Sequence, residues 1–217
     1  MTKPLSKNIR SAFILGSTSE IAQAICLELA TRGCKQFHFV SRNSNNNRNL
    51  INKLKALGKF DITEEETDLI NDANLDHPKS LQVGFYDLYL IAAGSLGDSF
   101  LARNQSKEAL KITAANFSGL IPWITSIATD DRINSNSRLW VFSSVAADRG
   151  RPSNYHYGSA KSGLEKFCEG ILLRTYKKPL KVRIIKAGFI STRMSKGKAP
   201  SFLCISPNQV AKILLKN

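Results

Sequence analysis

Long hydrophobic runs are missing from this sequence of 217 residues. No stretch reaches the roughly 18 consecutive apolar residues that a membrane-spanning helix needs. The basic start MTKPLSKNIR is not followed by the apolar core of a signal peptide. We therefore expect a cytoplasmic protein without stable membrane association.

Cysteine is also scarce, and its spacing argues against two kinds of site. The four cysteines, at positions 26, 34, 168 and 204, form no Cys-x-x-Cys pair and do not cluster with the three histidines. A zinc site or a disulfide framework depends on such grouping. We therefore predict reduced, structural thiols and no bound metal.

Acidic residues are few compared with basic ones. The chain has 17 Asp and Glu against 31 Lys and Arg, a formal net charge of +14. Such an excess attracts phosphorylated substrates, anionic lipid headgroups or nucleic acid. The basic residues are scattered and no nucleic-acid recognition motif accompanies them, so we favour a solvated basic surface with an anion-binding site and expect no nucleic-acid partner.

Short apolar runs alternate with longer helical patterns along the chain. The predicted strands are Ala12–Gly16, Gln36–Ser41, Ile62–Leu69, Asp87–Ala92, Leu139–Ser144 and Val182–Ala187. The predicted helices are Glu20–Arg32, Arg48–Leu57, Ser106–Thr129, Tyr157–Tyr176 and Pro207–Leu215. This alternation predicts one α/β domain over residues 1–217, with a doubly wound parallel sheet and ligands at the carboxyl ends of its strands.

The segment SSVAADRGRPSNYHYGSAK, residues 143–161, carries the strongest chemical signal. Tyr157 and Lys161 are four residues apart, so both side chains fall on one face of a helix. A nearby ammonium favours the phenolate and is expected to lower the pKa of Tyr157. Ser144 ends the preceding predicted strand, where its hydroxyl can bind a substrate oxygen while the phenol transfers a proton.

These residues resemble the short-chain dehydrogenases and reductases, in which the serine precedes the tyrosine by thirteen residues and the lysine follows it by four. The resemblance covers nearly the whole chain and implies a three-layer α/β/α Rossmann fold that binds NAD(P). It makes Ser144, Tyr157 and Lys161 catalytic, with Asn116 of ITAANFSGL supporting a proton path to the lysine. Two alternatives remain: Tyr157 packs on the sheet as a helix-start aromatic, and Asn116 marks a bend in its helix.

The segment LGSTSEIA, residues 15–22, resembles the family's phosphate-binding turn with two glycines replaced. Gly16 keeps the glycine that the tight turn most needs, whereas Glu20 and Ala22 stand at the other two positions. We expect the Glu20 carboxylate to face solvent or to cap the helix, because facing the phosphates would repel them. The predicted cofactor contacts here are Gly16, Ser17, Thr18, Ser19 and Ile21.

Cofactor choice is predicted from the end of the second strand, FVSRN. An aspartate there would favour NAD, but the chain has Ser41 followed by Arg42. A hydroxyl and a guanidinium can both bind the extra phosphate of NADP, so NADP(H) is favoured over NAD(H). The alternative is that Arg42 only belongs to a basic loop.

The resemblance assigns further cofactor contacts on other loops. Asp68 matches the acidic residue that accepts a hydrogen bond from the adenine amino group, with Asp61 as a competing candidate. In the segment KAGFISTRM, the Ile190 backbone and the Thr192 hydroxyl would meet the nicotinamide amide. The remaining assigned contacts are Leu69, Ala92, Ala93, Gly94 and Gly188, together with the catalytic Tyr157 and Lys161.

Substrate residues are predicted in the loop between the serine and the tyrosine. The sequence of this loop resembles that of decaprenylphosphoryl keto-ribose reductases and related sugar reductases of surface-polysaccharide synthesis. Arg149, Arg151 and Asn154 would then meet phosphate and hydroxyl groups, although they could instead only stabilise the loop. A short substrate loop is expected near residues 191–206.

The resulting hypothesis is an NADPH-dependent reductase that transfers a hydride to the ketone of a sugar or sugar phosphate. The alternative is a non-catalytic NADP-binding sensor or scaffold of the same fold. A sugar-nucleotide epimerase would need a substrate domain of roughly a hundred further residues. The resemblance also implies a homodimer or homotetramer.

Overall fold

The structure is a computed structural model that describes residues 9–71, 78, 81, 85–133, 137–196 and 200–216. Its contacts divide the chain into two compact units. The first unit comprises Met1–Thr67, Tyr86–Ala92 and Gly188–Asn217, and the second comprises Asp68–Phe85 and Ala93–Ala187. A single domain over residues 1–217 stays a prediction.

Six strands form one sheet in the order β3-β2-β1-β4-β5-β6. The strands are β1 Ser11–Leu15, β2 Gln36–Ser41, β3 Asp61–Glu66, β4 Leu88–Ile91, β5 Arg138–Ser144 and β6 Lys181–Ala187. β1 pairs in parallel with β2 and β4, β2 with β3, and β5 with β6. The predicted doubly wound α/β fold is confirmed.

The helices alternate with these strands. They are α1 Glu20–Thr31, α2 Arg48–Leu57, α3 Ser99–Ala102, α4 Ser106–Asn116, α5 Ile121–Thr129, α6 Tyr155–Arg174 and α7 Pro207–Lys216. Short 3₁₀ turns precede α2, separate α4 from α5, follow β5 and precede α7. Within the part of the chain that the structure describes, no helix is long and apolar enough to cross a membrane.

The core of the first unit is built on β1, whose last four residues are buried. Phe13 stacks on His38 of β2 with ring centroids 5.3 Å apart, and it also packs against Tyr89 of β4. Helix α1 packs on α7, and Arg32 donates a 2.8 Å hydrogen bond to the Leu215 carbonyl oxygen. The turn between β1 and α1 therefore connects a buried strand to a helix that packs on α7.

The core of the second unit lies between β5 and helices α4 and α6. The first six residues of β5 are buried, and α6 turns Leu164 and Cys168 inward. Phe117 meets Phe167 of α6 edge-on, with ring centroids 6.4 Å apart. This packing positions the first half of α6, where Tyr157 and Lys161 lie.

The predicted single helix over Ser106–Thr129 is wrong, because the chain breaks between α4 and α5. Phe117 adopts φ −146° and ψ −76°, outside the helical region, and a 3₁₀ turn over Ser118–Leu120 follows. Pro122 then lies in the first turn of α5, where its missing N–H costs nothing. The break brings Gly119 against the Leu69 backbone, so that a Cβ atom there would lie 2.3 Å from the Leu69 carbonyl oxygen.

We predict that Gly119→Ala lowers the free energy of unfolding by about 2 kcal/mol, because the backbone of Leu69 must move. The matched control is Gly170→Ala in α6, where an added Cβ meets nothing within 4 Å. There the change should raise stability by up to about 1 kcal/mol. Denaturant unfolding of both variants measures the difference, and equal stabilities would contradict the close approach at Gly119.

Candidate active site

Ser144 lies at the carboxyl end of β5, in the second unit, as the sequence predicts. Its backbone is extended and it caps the 3₁₀ turn Val145–Ala147, because its Oγ accepts a 3.1 Å hydrogen bond from the Ala146 N–H. The cap holds the hydroxyl at the edge of the sheet. The side chain also bonds to Tyr157, which brings two of the predicted catalytic residues together.

Tyr157 lies in the first turn of α6, which begins at Tyr155 rather than at the predicted Tyr157. Burial raises the pKa of its hydroxyl, and the hydrogen bond with Ser144 only partly opposes that rise. The expectation that Lys161 lowers this pKa is therefore not met. The Lys161 ammonium lies 5.9 Å from the centroid of the tyrosine ring, and burial is the largest cause of the net rise in the pKa of Tyr157. Tyr157 thus keeps its proton at neutral pH.

Lys161 is buried one turn further along α6, with 3% of its surface exposed. Its ammonium donates a 3.0 Å hydrogen bond to the carbonyl oxygen of Phe142 in β5. Burial lowers the pKa of Lys161 to about 8, while interactions with Cys168 and Glu165 oppose the fall. The Lys161 amine therefore loses its proton just above neutral pH.

Asn116 is fully buried at the last residue of α4. Its Nδ2 donates to the carbonyl oxygens of Ser95, at 2.6 Å, and Ile112, at 2.8 Å, while its Oδ1 accepts from the Ser95 N–H at 3.2 Å. A Cβ atom on Gly94 would lie 2.7 Å from this Oδ1 and 3.5 Å from Lys161 Nζ. Asn116 thus holds the Gly94–Ser95 backbone beside the lysine, and it is the last helical residue before the chain breaks at Phe117.

Asp68 and Leu69 lie directly after β3 rather than inside it, because β3 ends at Glu66. The Asp68 carboxylate accepts hydrogen bonds from the Ile70 N–H at 3.0 Å and from the Asn71 side chain at 2.8 Å, which starts a turn. The Leu69 carbonyl oxygen is the atom that closely approaches Gly119. The two predicted adenine contacts therefore lie beside the break between α4 and α5.

The predicted substrate residues lie between β5 and α6. Arg149 is exposed, whereas Arg151 is half-buried and donates a 3.2 Å hydrogen bond to the Val145 carbonyl oxygen. Asn154 directly precedes α6; its side chain makes no capping bond, and its carbonyl oxygen accepts from the Gly158 N–H at 2.9 Å. The Arg151 side chain therefore bonds within its own loop, whereas the Arg149 guanidinium is exposed.

In the first unit, Gly16 forms the turn between β1 and α1 with φ +88°, a conformation that favours glycine. The N–H groups of Gly16 and Ser17 both donate to the Val40 carbonyl oxygen, at 2.8 and 3.2 Å. Ser17 is fully buried and its Oγ donates to Asn47 Oδ1 at 2.9 Å. The Ser17 hydroxyl, which the sequence predicts to face a phosphate, therefore bonds to Asn47 in the protein interior.

The remaining hydroxyls of this turn belong to Thr18 and Ser19. Ser19 precedes the first residue of α1 and makes no side-chain capping bond. Thr18 and Ser19 are half-buried, and Ile21 lies in the first turn of α1. These groups lie at a helix N-terminus, where the helix dipole favours an anion.

The Glu20 side chain lies in the first turn of α1 and is 37% exposed, and it also bonds to a distant segment of the chain. Its Oε2 accepts a 2.7 Å hydrogen bond from the Arg193 N–H and lies 3.6 Å from the Arg193 Nε. Glu20 thus connects the turn between β1 and α1, which is predicted to bind phosphate, to the segment after β6. Two residues 173 positions apart could not be paired from the sequence.

The segment after β6 is held by backbone bonds. Ile190 forms an isolated parallel bridge with Ile205, and the Ser191 N–H donates to the Ile205 carbonyl oxygen at 2.9 Å. The Thr192 hydroxyl bonds to Ser195 Oγ at 3.2 Å. Gly188 is exposed at the start of the segment. The predicted contacts of the nicotinamide amide therefore lie on an ordered loop.

Ser41 and Arg42 differ in exposure at the end of β2. Ser41 is 6% exposed and its Oγ accepts a 3.4 Å hydrogen bond from Asn47 Nδ2, whereas Arg42 is exposed. A phosphate near this strand end would therefore meet the guanidinium more readily than the hydroxyl. Ala92, beyond β4, donates its N–H to the Leu15 carbonyl oxygen at 2.9 Å. Ala93 begins the longer of the two segments that make up the second unit.

Sequence reasoning missed Glu165 and Lys186 in the second unit. Glu165 accepts a 2.6 Å hydrogen bond from Ser143 Oγ and lies 3.1 Å from Lys186 Nζ. The available signal was its position four residues after Lys161, on the same helix face. In the described ranges, no group of three or more His, Cys, Asp or Glu could hold a metal ion.

Residues 10–201 match the short chain dehydrogenase family, and the chain belongs to it. As a member, the protein is an NAD(P)-dependent oxidoreductase. It is 29% identical over 201 residues to an uncharacterized oxidoreductase of Mycobacterium tuberculosis, covering 91% of this chain and 80% of the relative. It is 24% identical over 185 residues to the 3-oxoacyl acyl-carrier-protein reductase of Escherichia coli, covering 85% and 75%.

Solved structures show the same fold at lower identity. A short-chain dehydrogenase from Sphingobium yanoikuyae in complex with NADPH has a TM-score of 0.81 at 14% identity, covering 95% of this chain and 83% of that one. A 3-oxoacyl acyl-carrier-protein reductase from Brucella melitensis in complex with NAD has a TM-score of 0.79 at 21% identity, covering 96% and 89%.

We predict that Asn116→Asp lowers the free energy of unfolding by on the order of 3 kcal/mol. The change places a buried carboxylate oxygen against the Ser95 and Ile112 carbonyl oxygens, which now accept from Nδ2. Asn104→Asp, in the exposed turn before α4, is the control and should change stability by less than about 0.5 kcal/mol. Denaturant unfolding measures both, and similar stabilities would show that the Asn116 amide is not required.

Proposed function

We propose that the protein reduces the ketone of a sugar or sugar phosphate with NADPH. The arrangement that carries this proposal is the second unit's set of Ser144, Tyr157, Lys161 and Asn116, in which the tyrosine bonds to the serine and keeps its proton. A protonated phenol beside a hydroxyl suits delivery of a proton to a carbonyl oxygen.

The chain's own residues fit a dinucleotide. In the first unit, the positive φ of Gly16, the hydroxyls of Thr18 and Ser19 at the start of α1 and the exposed Arg42 offer groups for phosphates. When bound, the cofactor supplies the hydride that reduces the carbonyl carbon.

In the proposed reaction, Tyr157 donates its hydroxyl proton to the carbonyl oxygen as the carbon accepts the hydride. Ser144 donates a hydrogen bond to the same oxygen and polarises the carbonyl group. Lys161, as a cation, stabilises the phenolate left behind, because an ammonium 5.9 Å from the ring favours the anion. Asn116 holds the Gly94–Ser95 backbone beside these groups.

The substrate class rests on Arg149 and on the resemblance of its loop to sugar reductases. The Arg149 guanidinium is exposed and can pair bidentately with a phosphate. The net charge of +14 would favour the approach of an anionic keto-sugar. A homodimer or homotetramer, with a small-molecule keto substrate, remains part of the proposal.

We predict that the wild-type protein oxidises NADPH with keto-sugars and that Tyr157→Phe lowers the rate by about 10²–10⁴-fold. Loss of the phenol removes the proton donor but leaves the ring, so NADPH binding should persist. Tyr155→Phe, in the same helical turn and 43% exposed, is the control and should retain activity. Consumption of NADPH is followed with free and phosphate-linked keto-sugars.

Three outcomes of this assay separate the alternatives. Turnover of phosphate-linked sugars above free ones supports the proposed substrate class. NADPH binding without turnover of any ketone favours a non-catalytic NADP-binding sensor or scaffold. Undiminished reduction by Tyr157→Phe would refute the mechanism.

We predict that NADPH is preferred and that Arg42→Ala raises the KM for NADPH on the order of tenfold to hundredfold. The exposed guanidinium is the group that would pair with the extra phosphate, so the KM for NADH should change little. Lys53→Ala on the exposed face of α2 removes the same charge and serves as control. A wild-type preference for NADH would overturn the assignment.

A further inference from the structure

Four polar side chains of the second unit form a continuous network behind the catalytic residues. Glu165 lies one turn after Lys161 in α6 and is 9% exposed. Its Oε1 accepts a 2.6 Å hydrogen bond from Ser143 Oγ, and its Oε2 lies 3.1 Å from Lys186 Nζ. The Lys186 ammonium also bonds to the Asp148 carboxylate. We call Ser143, Asp148, Glu165 and Lys186 the Glu165 network.

The Glu165 network connects α6 to the ends of β5 and β6 and to the loop that follows β5. The catalytic Ser144 is the last residue of β5. Ser143 precedes Ser144 in β5, Lys186 lies near the carboxyl end of β6, and Asp148 lies in the loop that leads to Arg149. Lys161 and Glu165, successive residues on one face of α6, thus bond to the successive β5 residues Phe142 and Ser143. The Glu165 network therefore lies next to the catalytic lysine on the same face of α6.

Lys161 needs a negative partner, because burial strongly disfavours an ammonium. On α6 it faces Tyr157, Glu165 and Cys168; from β5 it meets only the neutral Phe142 carbonyl oxygen among its described contacts. Burial raises the pKa of the Cys168 thiol to about 12, so this group is neutral where Lys161 titrates.

Within the part of the chain that the structure describes, the carboxylate of Glu165 is therefore the charged group that opposes the fall in the pKa of Lys161. Among the described residues, Glu165 pairs with Lys186 of β6, which also bonds to Asp148. Because Lys186 is a cation bound to the same carboxylate, it offsets part of the negative charge. The neutral Gly94 and Asn116 also lie near the lysine, because a Cβ atom on Gly94 would be 3.5 Å from Lys161 Nζ and 2.7 Å from Asn116 Oδ1.

We propose that Glu165 is a positioning residue for catalysis, whose carboxylate keeps Lys161 cationic while Lys186 limits that effect. The inference deepens the proposed function, because Lys161 belongs to its catalytic set, but it can be tested without a substrate. The role of the Glu165 network is thus to control the charge state of Lys161 rather than to contact the substrate.

The direction of each effect follows from the charges. Glu165 opposes the fall in the pKa of Lys161, so its neutralisation must lower that pKa further below about 8. A larger neutral fraction of Lys161 would then exist at neutral pH. Removal of the Lys186 charge should raise the pKa of Lys161, because the negative charge of Glu165 is then no longer offset by a second cation.

The test is a pH titration of protein carrying ¹³C-labelled lysine, in which the Lys161 ε-methylene signal is followed by NMR. Lys161→Arg assigns the signal by its loss. We expect Glu165→Gln, which preserves shape and the ability to bond to Ser143, to move the midpoint about one pH unit lower. Lys186→Met should move it higher. Lys186 is 42% exposed, so this variant provides a test even if Glu165→Gln does not fold.

Glu169→Gln is the matched control, because Glu169 lies one turn further along α6 and pairs with the exposed Lys166 at 2.8 Å. Its Lys161 midpoint should equal that of the wild type. An unchanged midpoint in Glu165→Gln, an equal shift in Glu169→Gln, or a lower or unchanged midpoint in Lys186→Met would overturn the proposal. None of these results depends on which ketone is reduced, so they are distinguishable from failure of the proposed function.

Discussion

The buried ammonium of Lys161 is the constraint on which the arrangement of the second unit depends. A cation removed from water must find hydrogen-bond acceptors and opposite charge, or it loses its proton. The Phe142 carbonyl oxygen supplies the acceptor and Glu165 the charge. The absence of a side chain at Gly94 leaves room for Asn116 beside the ammonium, because a Cβ atom there would lie 2.7 Å from Asn116 Oδ1.

The backbone near this ammonium is itself held by one amide. Asn116 makes three hydrogen bonds, two of them to Ser95, and it can do so because α4 ends at this residue. The helix break, the close approach of Gly119 to Leu69 and the position of the Gly94–Ser95 loop therefore belong together. A continuous helix would not produce this set of contacts.

Local patterns predicted the fold well, because strand and helix periodicity is a property of neighbouring residues. The spacing of Ser144, Tyr157 and Lys161 predicted which side chains meet at the end of β5. The break after Asn116 was missed because apolar periodicity continues across it, and the raised pKa of Tyr157 was missed because burial depends on the whole unit. Pairs such as Glu20 with Arg193 and Glu165 with Lys186 form only after distant segments pack.

The buried contact between Ser17 and Asn47 bears on how a turn with one glycine can serve where the family commonly has three. Asn47 also donates to Glu64 at 2.8 Å and to Ser41, so the turn rests on a hydrogen-bonded layer that folding alone assembles. The conformational entropy of ordering the turn is then lost during folding rather than during association with a ligand. The hydrogen bonds of Ser17 and Asn47 therefore hold the conformation of a turn that has a single glycine.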